Sequence, residues 1–157
     1  MLTADWVVPA ERLGAATLCG VAIGINRHLH GKPAGIRTHA CVALGAALFV
    51  WITGASSGGD LSVISRTFQG ITTGIGFLGA GVILHPAGRK NIQGLTTAAT
   101  IWVTAGMGGA CGVGLYSAVL VTIILMFVVL IIGGAIEHRL DRIMAAREGA
   151  PAPVDES

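Results

Sequence analysis

The feature that most restricts the fold of this chain is a run of 43 residues, positions 94–136, that contains no charged side chain. As a single α-helix the run would be about 65 Å long, whereas the hydrocarbon core of a bilayer is about 30 Å thick. The run therefore predicts two membrane-spanning helices, with Gly112 and Gly114 marking the break. We expect the fourth span at about 95–111 and the fifth at about 115–136.

The composition extends this conclusion to the rest of the chain. Of the 157 residues, 53% are hydrophobic and 11% are charged, against about 25% charged in ordinary soluble domains. Three more apolar segments, at about 9–25, 39–53 and 68–84, precede the long run. We predict an all-α integral membrane protein with one five-helix domain, residues 1–136, and a polar tail, residues 137–157.

The basic residues predict the orientation of these spans. Eight of the ten lysines and arginines lie in the loops after the first and third spans and in the tail. Loops rich in Lys and Arg remain on the cytoplasmic side. We therefore expect the N-terminus outside and the C-terminus in the cytoplasm.

Glycine dominates the third apolar segment, where residues 70–84 contain five glycines and no charge. Each interior glycine costs a soluble helix about 1 kcal/mol against alanine, but small residues let membrane helices approach closely. On a helix, Gly70, Gly74 and Gly81 share one face, and Gly76 and Gly79 lie roughly opposite. We predict that this third helix lies at the centre of the bundle.

Two other glycine pairs have the G-x-x-x-G spacing that favours helix packing in membranes. Gly20 and Gly24 lie in the first segment, and Gly108 and Gly112 lie in the fourth. A second copy of the chain is one candidate partner for these faces. We therefore expect a homo-oligomer, with a dimer favoured.

The fourth segment carries a polar stripe of four threonines, Thr96, Thr97, Thr100 and Thr104, within about 100° of helical arc. Threonine hydroxyls bond to a carbonyl four residues back or to a neighbouring helix. One interpretation is packing between the third and fourth helices. The other is a stripe that lines a small polar cavity or ion path.

Glu11 and Arg12 are ionisable residues near the outer end of the first segment, and such residues in a span are functional candidates. Either they lie among the lipid headgroups, or Glu11 faces the threonine stripe or a cation. Glu11 is thus the candidate metal contact, although no metal-ligand set stands out.

The loop after the first span is basic, and it contains Arg27, His28, His30, Lys32, Arg37 and His39. One interpretation is topology and contact with anionic lipid. The other is a docking surface for a partner or a phosphate-bearing ligand. A metal site that adds Cys41 to the histidines is a third alternative, but the spacings match no familiar ligand set.

The chain contains no apparent nucleophile–base pair and no long soluble segment to hold an active site. We therefore expect no enzymatic activity, no cofactor and no nucleic-acid partner.

Three stretches of the sequence form distinct motifs: GKPAGIRTH at 31–39 with the apolar residues that follow, QGITTGIGFLGAGVIL at 69–84, and GLTTAATIWVTAGMG at 94–108. Together they resemble the MgtC/SapB family of bacterial inner-membrane proteins. The pair Glu11–Arg12 matches the opening of the family. The resemblance marks these matching residues as functional candidates: Glu11, Arg12, Arg27, Lys32, Arg37, Thr38, His39 and Gln69.

The resemblance implies a five-span inner-membrane protein linked to growth at low magnesium and to the survival of pathogens inside host cells. It implies an accessory or regulatory role, and we expect the chain to exercise it by binding another membrane protein through its glycine-rich faces and basic inner loops. A small oligomeric transporter or channel for an ion such as magnesium, or for another small solute, is the alternative.

Two departures from the family pattern stand out. The family commonly has Glu-Arg-Glu or Glu-Arg-Gln after the first span, where this chain has Asn26, Arg27 and His28. Many members also carry a soluble C-terminal regulatory domain, whereas about 20 polar residues follow the fifth span here. We therefore expect the short form of the family.

Overall fold

The computed structural model describes residues 6–83 and 93–148. These residues form helices and no strand, which confirms the predicted all-α class. The helices are α1 (Val7–Leu29), α2 (Ile36–Ser56), α3 (Leu61–Val82), α4 (Leu95–Val113), α5 (Tyr116–Val128) and α6 (Gly134–Glu148), and a π-helical stretch, Val129–Gly133, joins the last two. Residues 84–92, which include most of the loop predicted after the third span, and the tail after residue 148 lie outside the described residues.

Three stretches of helix are long and apolar enough to cross a bilayer: Val7–Leu29, Ile36–Ser56 and the continuous run Tyr116–Met144. The helices α3 and α4 have 22 and 19 residues, which gives lengths of about 33 and 28 Å. Membrane insertion is therefore indicated directly by three helices rather than by the five predicted spans.

Two connections are shorter than the sequence predicts, because the helices extend into the polar stretches. The turn from α1 to α2 contains Gly31 with a φ of +62°, and the Lys32 amide donates to the carbonyl of Arg27. Gly58 and Gly59, with φ of +63° and +85°, form the turn before α3. Only the residues between Ser56 and Leu61 separate α2 from α3, so most of the stretch between the predicted segments 39–53 and 68–84 is helical.

Asp60 begins α3 by accepting a hydrogen bond from the Ser62 backbone amide at 2.8 Å. This bond satisfies one of the amides that a helix leaves unpaired at its start. The same bond holds the pKa of the exposed Asp60 carboxyl below its usual value, because it stabilises the carboxylate.

The central helix of the first unit is α4 rather than the glycine-rich α3. Residues up to Val119 form this unit, in which α4 packs against α1, α2 and α3. Ten residues of α4 are buried, whereas Gly79 alone is buried on α3. The prediction of a central third helix is wrong, because α4 offers small and threonine side chains to three neighbours at once.

Backbone-to-backbone contact at glycine holds α2 between α1 and α4. A Cβ on Gly20 would lie 2.5 Å from the His39 carbonyl oxygen, and Gly24 meets the backbone of Ile36. On the other side of α2, Gly108 and Gly112 meet the backbones of Ala43 and Ala47. The two glycine pairs therefore contact α2 of the same chain, and the expected homo-oligomer stays a prediction.

The same contacts give the direction of each helix. Gly20 contacts His39, whereas Gly24, which is later on α1, contacts Ile36, which is earlier on α2, so α1 and α2 are antiparallel. On α2 and α4 the residue numbers of the contacting pairs increase together, so these helices are parallel. Gly79 lies near Ala98, and Gly109 lies against Phe68, so α3 runs antiparallel to α4. Helices α1 to α4 thus alternate in direction along the chain.

The second unit begins at Leu120 and contains most of α5, the π-helical stretch and α6. Large apolar side chains are exposed along α5 and the π-helical stretch, among them Leu125 and Val129. From Glu137 onward the helix carries charged residues. The apolar-to-polar change along one continuous helix is typical of a span that leaves the bilayer.

Candidate functional site

Four polar side chains from three helices meet near the N-terminal end of α4. The Arg27 guanidinium on α1 donates from Nη2 to the Thr97 hydroxyl at 3.1 Å. His39 on α2 places Nε2 3.2 Å from the Thr100 hydroxyl. We call Arg27, His39, Thr97 and Thr100 the polar cluster. It joins α1 and α2 to α4 through side chains that the sequence separates by 70 and 61 positions.

The orientation of His39 follows from its second contact. Its Nδ1 lies 3.0 Å from the carbonyl oxygen of Gly35, and a carbonyl can only accept. Nδ1 must therefore carry a proton, and Nε2 faces the Thr100 hydroxyl, which itself donates to the carbonyl of Thr97. His39 is completely buried, so these two bonds fix the start of α2 against α4.

Arg27 is the unusual member of the cluster, because it is a buried cation. Only 5% of the residue is exposed, and its Nε has no hydrogen-bond partner within the described structure. On α1 itself the only carboxylate is Glu11, 16 residues and about 24 Å away along the helix axis. A buried charge with unfilled hydrogen-bonding capacity is costly, so this side chain is the main functional candidate.

The threonine stripe faces α1 and α2, not α3, which corrects one of the two predicted interpretations. Thr97, Thr100 and Thr104 are buried, whereas Thr96 is exposed. The Thr104 hydroxyl donates to the carbonyl of Thr100 at 2.7 Å, and the Thr100 hydroxyl lies 2.8 Å from the carbonyl of Thr97. The buried stripe is therefore bonded to its own helix and to the polar cluster.

A second arginine contacts the opposite end of α4. Arg12 donates from Nη1 to the carbonyl oxygen of Gly112 at 2.7 Å. That carbonyl belongs to the last turn of α4, where the helix leaves carbonyls unpaired and where its dipole attracts cations. Arg12 and Arg27 are 15 residues apart on α1, as are Gly112 and Thr97 on α4. The antiparallel pair is thus held at two points about 22 Å apart.

Glu11 lies outside this contact. The residue is exposed, and its carboxylate interacts with the Tyr116 side chain at the start of α5. The threonine stripe and Glu11 are at different places in the bundle, so the structure does not bring them together.

The remaining candidates from the sequence lie on the surface of the first unit. Four of them, Lys32, Arg37, Thr38 and Gln69, are exposed. His28, His30, His39 and Cys41 do not converge: among the described residues, no group of three or more His, Cys, Asp or Glu side chains could hold a metal ion. The alternative metal site in the basic loop is therefore not formed by the described residues.

The glycine face of α3 remains open. A Cβ added at Gly70, Gly74, Gly76 or Gly81 would meet nothing within 4 Å, and at Gly79 it would meet only the side chain of Ala98. Among residues 6–83 and 93–148, the predicted packing role of these glycines is therefore limited to Gly79.

A long apolar groove runs between α2 and α3 beside this face. Its volume is about 620 Å³, and residues that line it include Cys41, Gly45, Phe49, Gly70, Gly74 and Leu78. We call it the α2–α3 groove.

Comparison with known proteins identifies the family. A family model described as the MgtC family matches residues 13–139, which is most of the chain. The chain belongs to the MgtC family. Three relatives support the assignment. Protein SrpB of Synechococcus elongatus is 48% identical over 71% of this chain. The Escherichia coli K12 protein named "Putative magnesium transporter YhiD" is 42% identical over 73%. Protein MgtC of Salmonella typhimurium LT2 is 38% identical over 86%.

These matches cover only part of each relative. The aligned region spans 67% of SrpB, 54% of YhiD and 56% of the Salmonella MgtC protein. No solved structure gives a significant match. The region that the family model matches, residues 13–139, includes all four members of the polar cluster and the residues that line the α2–α3 groove.

Sequence reasoning missed the partners in the polar cluster. It placed Arg27 and His39 in a basic loop, whereas both lie in helices and are buried. One available signal was helical spacing, since Gly20, Gly24 and Arg27 fall at i, i+4 and i+7 on one face of α1. An arginine on the same face as a packing glycine pair is expected to turn toward the neighbouring helices.

Proposed function

We propose that this chain is a multi-pass protein of the bacterial inner membrane that acts as an accessory or regulatory subunit by binding other membrane proteins. The observation that carries the proposal is the open glycine pair Gly70 and Gly74 on α3, beside the α2–α3 groove. The occupant that we propose for the groove is a transmembrane helix of a partner protein.

The other glycine pairs of the chain support this occupant. Within the described helices, three pairs have G-x-x-x-G spacing. The pairs on α1 and α4 each hold a helix backbone at close contact. The third pair, Gly70 and Gly74, has the same spacing, but a Cβ added at either glycine would meet no atom of the described residues within 4 Å. The same packing chemistry therefore suits it to a helix from another chain.

The arrangement of the bundle supports five membrane spans. Helices α1 and α2 have the length and hydropathy of spans, and α3 and α4 lie alongside them in alternating directions. The exposed hydroxyls of Thr72 and Thr73 on α3 donate to carbonyls of their own helix, as a hydrocarbon environment requires. With Lys32 and Arg37 in the cytoplasm, the N-terminus lies outside and the C-terminus inside.

We also propose a link to magnesium-limited growth or to a virulence-type adaptation, and the magnesium part of it is supported by the name of one of the relatives. Two of them are named MgtC and "Putative magnesium transporter YhiD", and the second name favours transport as the alternative function. Against transport, the threonine stripe is buried under α1 and α2. The positive charge of Arg27 at its end would also repel a cation.

The test is site-specific photo-cross-linking in native membranes, combined with growth at limiting magnesium. A photoreactive residue at Leu78, which lines the groove, is compared with one at Trp102, an equally exposed position on α4. We expect position 78, but not 102, to cross-link to a transmembrane helix of one partner, identified by mass spectrometry of the linked peptides. Gly74→Leu should abolish both the cross-link and the growth at limiting magnesium that depends on this protein.

Gly106→Leu is the matched control, because Gly106 lies on α4 with open space around it. It should retain both the cross-link and growth. Cross-links between two copies alone would assign the groove to a homo-oligomer. Equal function of the two glycine variants, with no cross-link from position 78, would refute the proposed partner surface.

Transport has its own test in liposomes loaded with a magnesium-sensitive dye. The accessory role predicts no protein-dependent uptake. Uptake that is lost in a Glu11→Gln, Thr100→Val double variant would replace the accessory role with a transport role along the threonine stripe.

A further inference from the structure

Arg27 has hydrogen-bonding capacity that the rest of the described structure does not use. A guanidinium carries five N–H donors and no acceptor. One Nη2 donor binds Thr97, and the Nε donor is buried without a partner. Residues of this kind are rarely left unsatisfied in a folded protein, since an unpaired buried charged donor costs several kcal/mol. A group that bonds to the Nε donor must be an acceptor, and a negatively charged acceptor would satisfy this donor best.

The first turn of α4 adds donors at the same place. Helix α4 begins after Gly94, which has a φ of +92°, and no side chain caps its first amides. The amide of Ala98 bonds back to Gly94. Within residues 6–83 and 93–148, the helix leaves the amides of Leu95, Thr96 and Thr97 without a helical partner. Leu95 and Thr96 are exposed, so this end of α4 is accessible next to Thr97, which binds the guanidinium.

The charges near the N-terminal end of α4 are positive. The N-terminus of a 19-residue helix carries about half a positive charge, and Arg27 adds a full one beside Thr97. Arg27 thus lies at the helix end that repels cations, in contrast to Arg12, which lies at the end that attracts them. Lys32 and Arg37 add exposed positive charge in and just after the α1–α2 turn. Such an arrangement attracts anions.

We propose that Arg27 and the first turn of α4 form a binding site for an anionic phosphoryl group. Helix N-termini bind phosphate through their free amides, and the planar arginine fork pairs with phosphoryl oxygens. In this site Nε and an Nη donor of Arg27 would approach one oxygen pair, and the amides of α4 would approach another. This inference goes beyond the proposed partner surface, which lies on α3.

Two sources supply the same chemistry, a phospholipid headgroup and free inorganic phosphate. The experiment separates them by following the Nε–H resonance of ¹⁵N-arginine-labelled full-length protein in bilayer nanodiscs. One arm titrates sodium phosphate against sodium chloride of equal ionic strength in phosphatidylcholine. The other replaces phosphatidylcholine stepwise with phosphatidylglycerol in phosphate-free buffer. Arg27→Lys identifies the resonance by its disappearance.

We expect a saturable shift of the Arg27 resonance and a matching rise in Tm. A shift with phosphate identifies a free-phosphate site, and a shift with phosphatidylglycerol alone identifies a headgroup site. Arg27→Lys should weaken the affinity of this binding, as followed by the rise in Tm, by about tenfold, the equivalent of one charge-assisted hydrogen bond. Arg37→Gln, which removes an exposed charge in α2, should weaken it less than about threefold.

If no arginine Nε–H resonance shows a saturable shift in either arm, the proposal is overturned, and that result depends on no variant. Binding that Arg27→Lys leaves unchanged would also overturn it. A Glu137→Gln, Asp141→Asn double variant tests whether the tail supplies the anion instead. If that variant moves the Arg27 resonance without added phosphate, the counter-ion is a carboxylate of the same chain and the proposal is wrong.

Discussion

Replacing Gly20 with alanine tests the close approach of α1 and α2. The added Cβ would lie 2.5 Å from the His39 carbonyl oxygen and 2.7 Å from the Cα of Ala40. Both are backbone atoms, so no side-chain rotation relieves the clash. Ordinary contact begins at 3.4 Å, and the helices must therefore separate by about 0.9 Å. Overpacking of this kind typically costs about 1–3 kcal/mol.

Gly14→Ala is the matched control in the same helix, because a Cβ at Gly14 meets nothing within 4 Å. Both variants gain the same helix propensity, about 1 kcal/mol, so this gain cancels in the comparison. We expect Gly14→Ala to be as stable as the original chain or slightly more stable. Gly20→Ala should be less stable than Gly14→Ala by about 1–3 kcal/mol.

The measurement is equilibrium unfolding in mixed micelles of dodecyl maltoside and increasing SDS. Fluorescence of the three tryptophans and far-UV circular dichroism follow the same transition. The difference between the two variants is read at a common SDS fraction. Equal stability of Gly20→Ala and Gly14→Ala would refute the close contact between α1 and α2, and with it the alternation of helices derived from it.

Three further predictions concern the polar contacts. Arg12→Gln should lower the free energy of unfolding by about 1–2 kcal/mol, because it removes a charged donor from the last turn of α4. Thr100→Val should cost about 1–2 kcal/mol, because His39 Nε2 loses its partner in a buried site. Asp60→Ala should remove a pH-dependent part of the protection of α3 against amide hydrogen exchange. The folded-state pKa of Asp60 is lowered. The stabilisation that Asp60 contributes is therefore present above its unfolded-state pKa and is lost as the pH falls through its folded-state pKa.

The first two of these are measured by the same SDS titration. Arg37→Gln is the control for Arg12→Gln, since Arg37 is exposed and surface charges contribute little. A cost of Thr100→Val that persists in a His39→Leu background would place its origin outside the histidine contact. The Asp60 effect is followed by amide hydrogen exchange of Ser62 and Val63 at pH 3 to 7, and an unchanged pH profile in Asp60→Ala would contradict it.

The sequence was sufficient for the fold class, because a charge-free run such as 94–136 has few structural solutions. It was not sufficient for the neighbours of each helix. A small-residue pair such as Gly20 and Gly24 packs equally well against an internal helix or a second copy, and its spacing does not distinguish them. The structure assigns that pair to α2 and leaves Gly70 and Gly74 open.

The candidate site was only partly predictable for a similar reason. Residues Thr97 and Thr100 were recognised as a polar stripe, and Arg27 as a functional candidate. Their contact depends on the side-by-side placement of α1 and α4, which are separated by two other helices in the chain. Local patterns hold no information on such a pairing.

The contact between Arg27 and Thr97 also constrains how the protein is made. Thr97 follows Arg27 by 70 residues, and ribosomes add about 5–20 residues per second. For about 4–14 s the newly inserted α1 therefore holds a charged side chain that has no α4 to receive it. During that interval Arg27 must extend toward the headgroup layer or rest against the insertion machinery. Final docking of α4 thus withdraws a surface arginine into the bundle, which makes the burial of Arg27 a late marker of completed assembly.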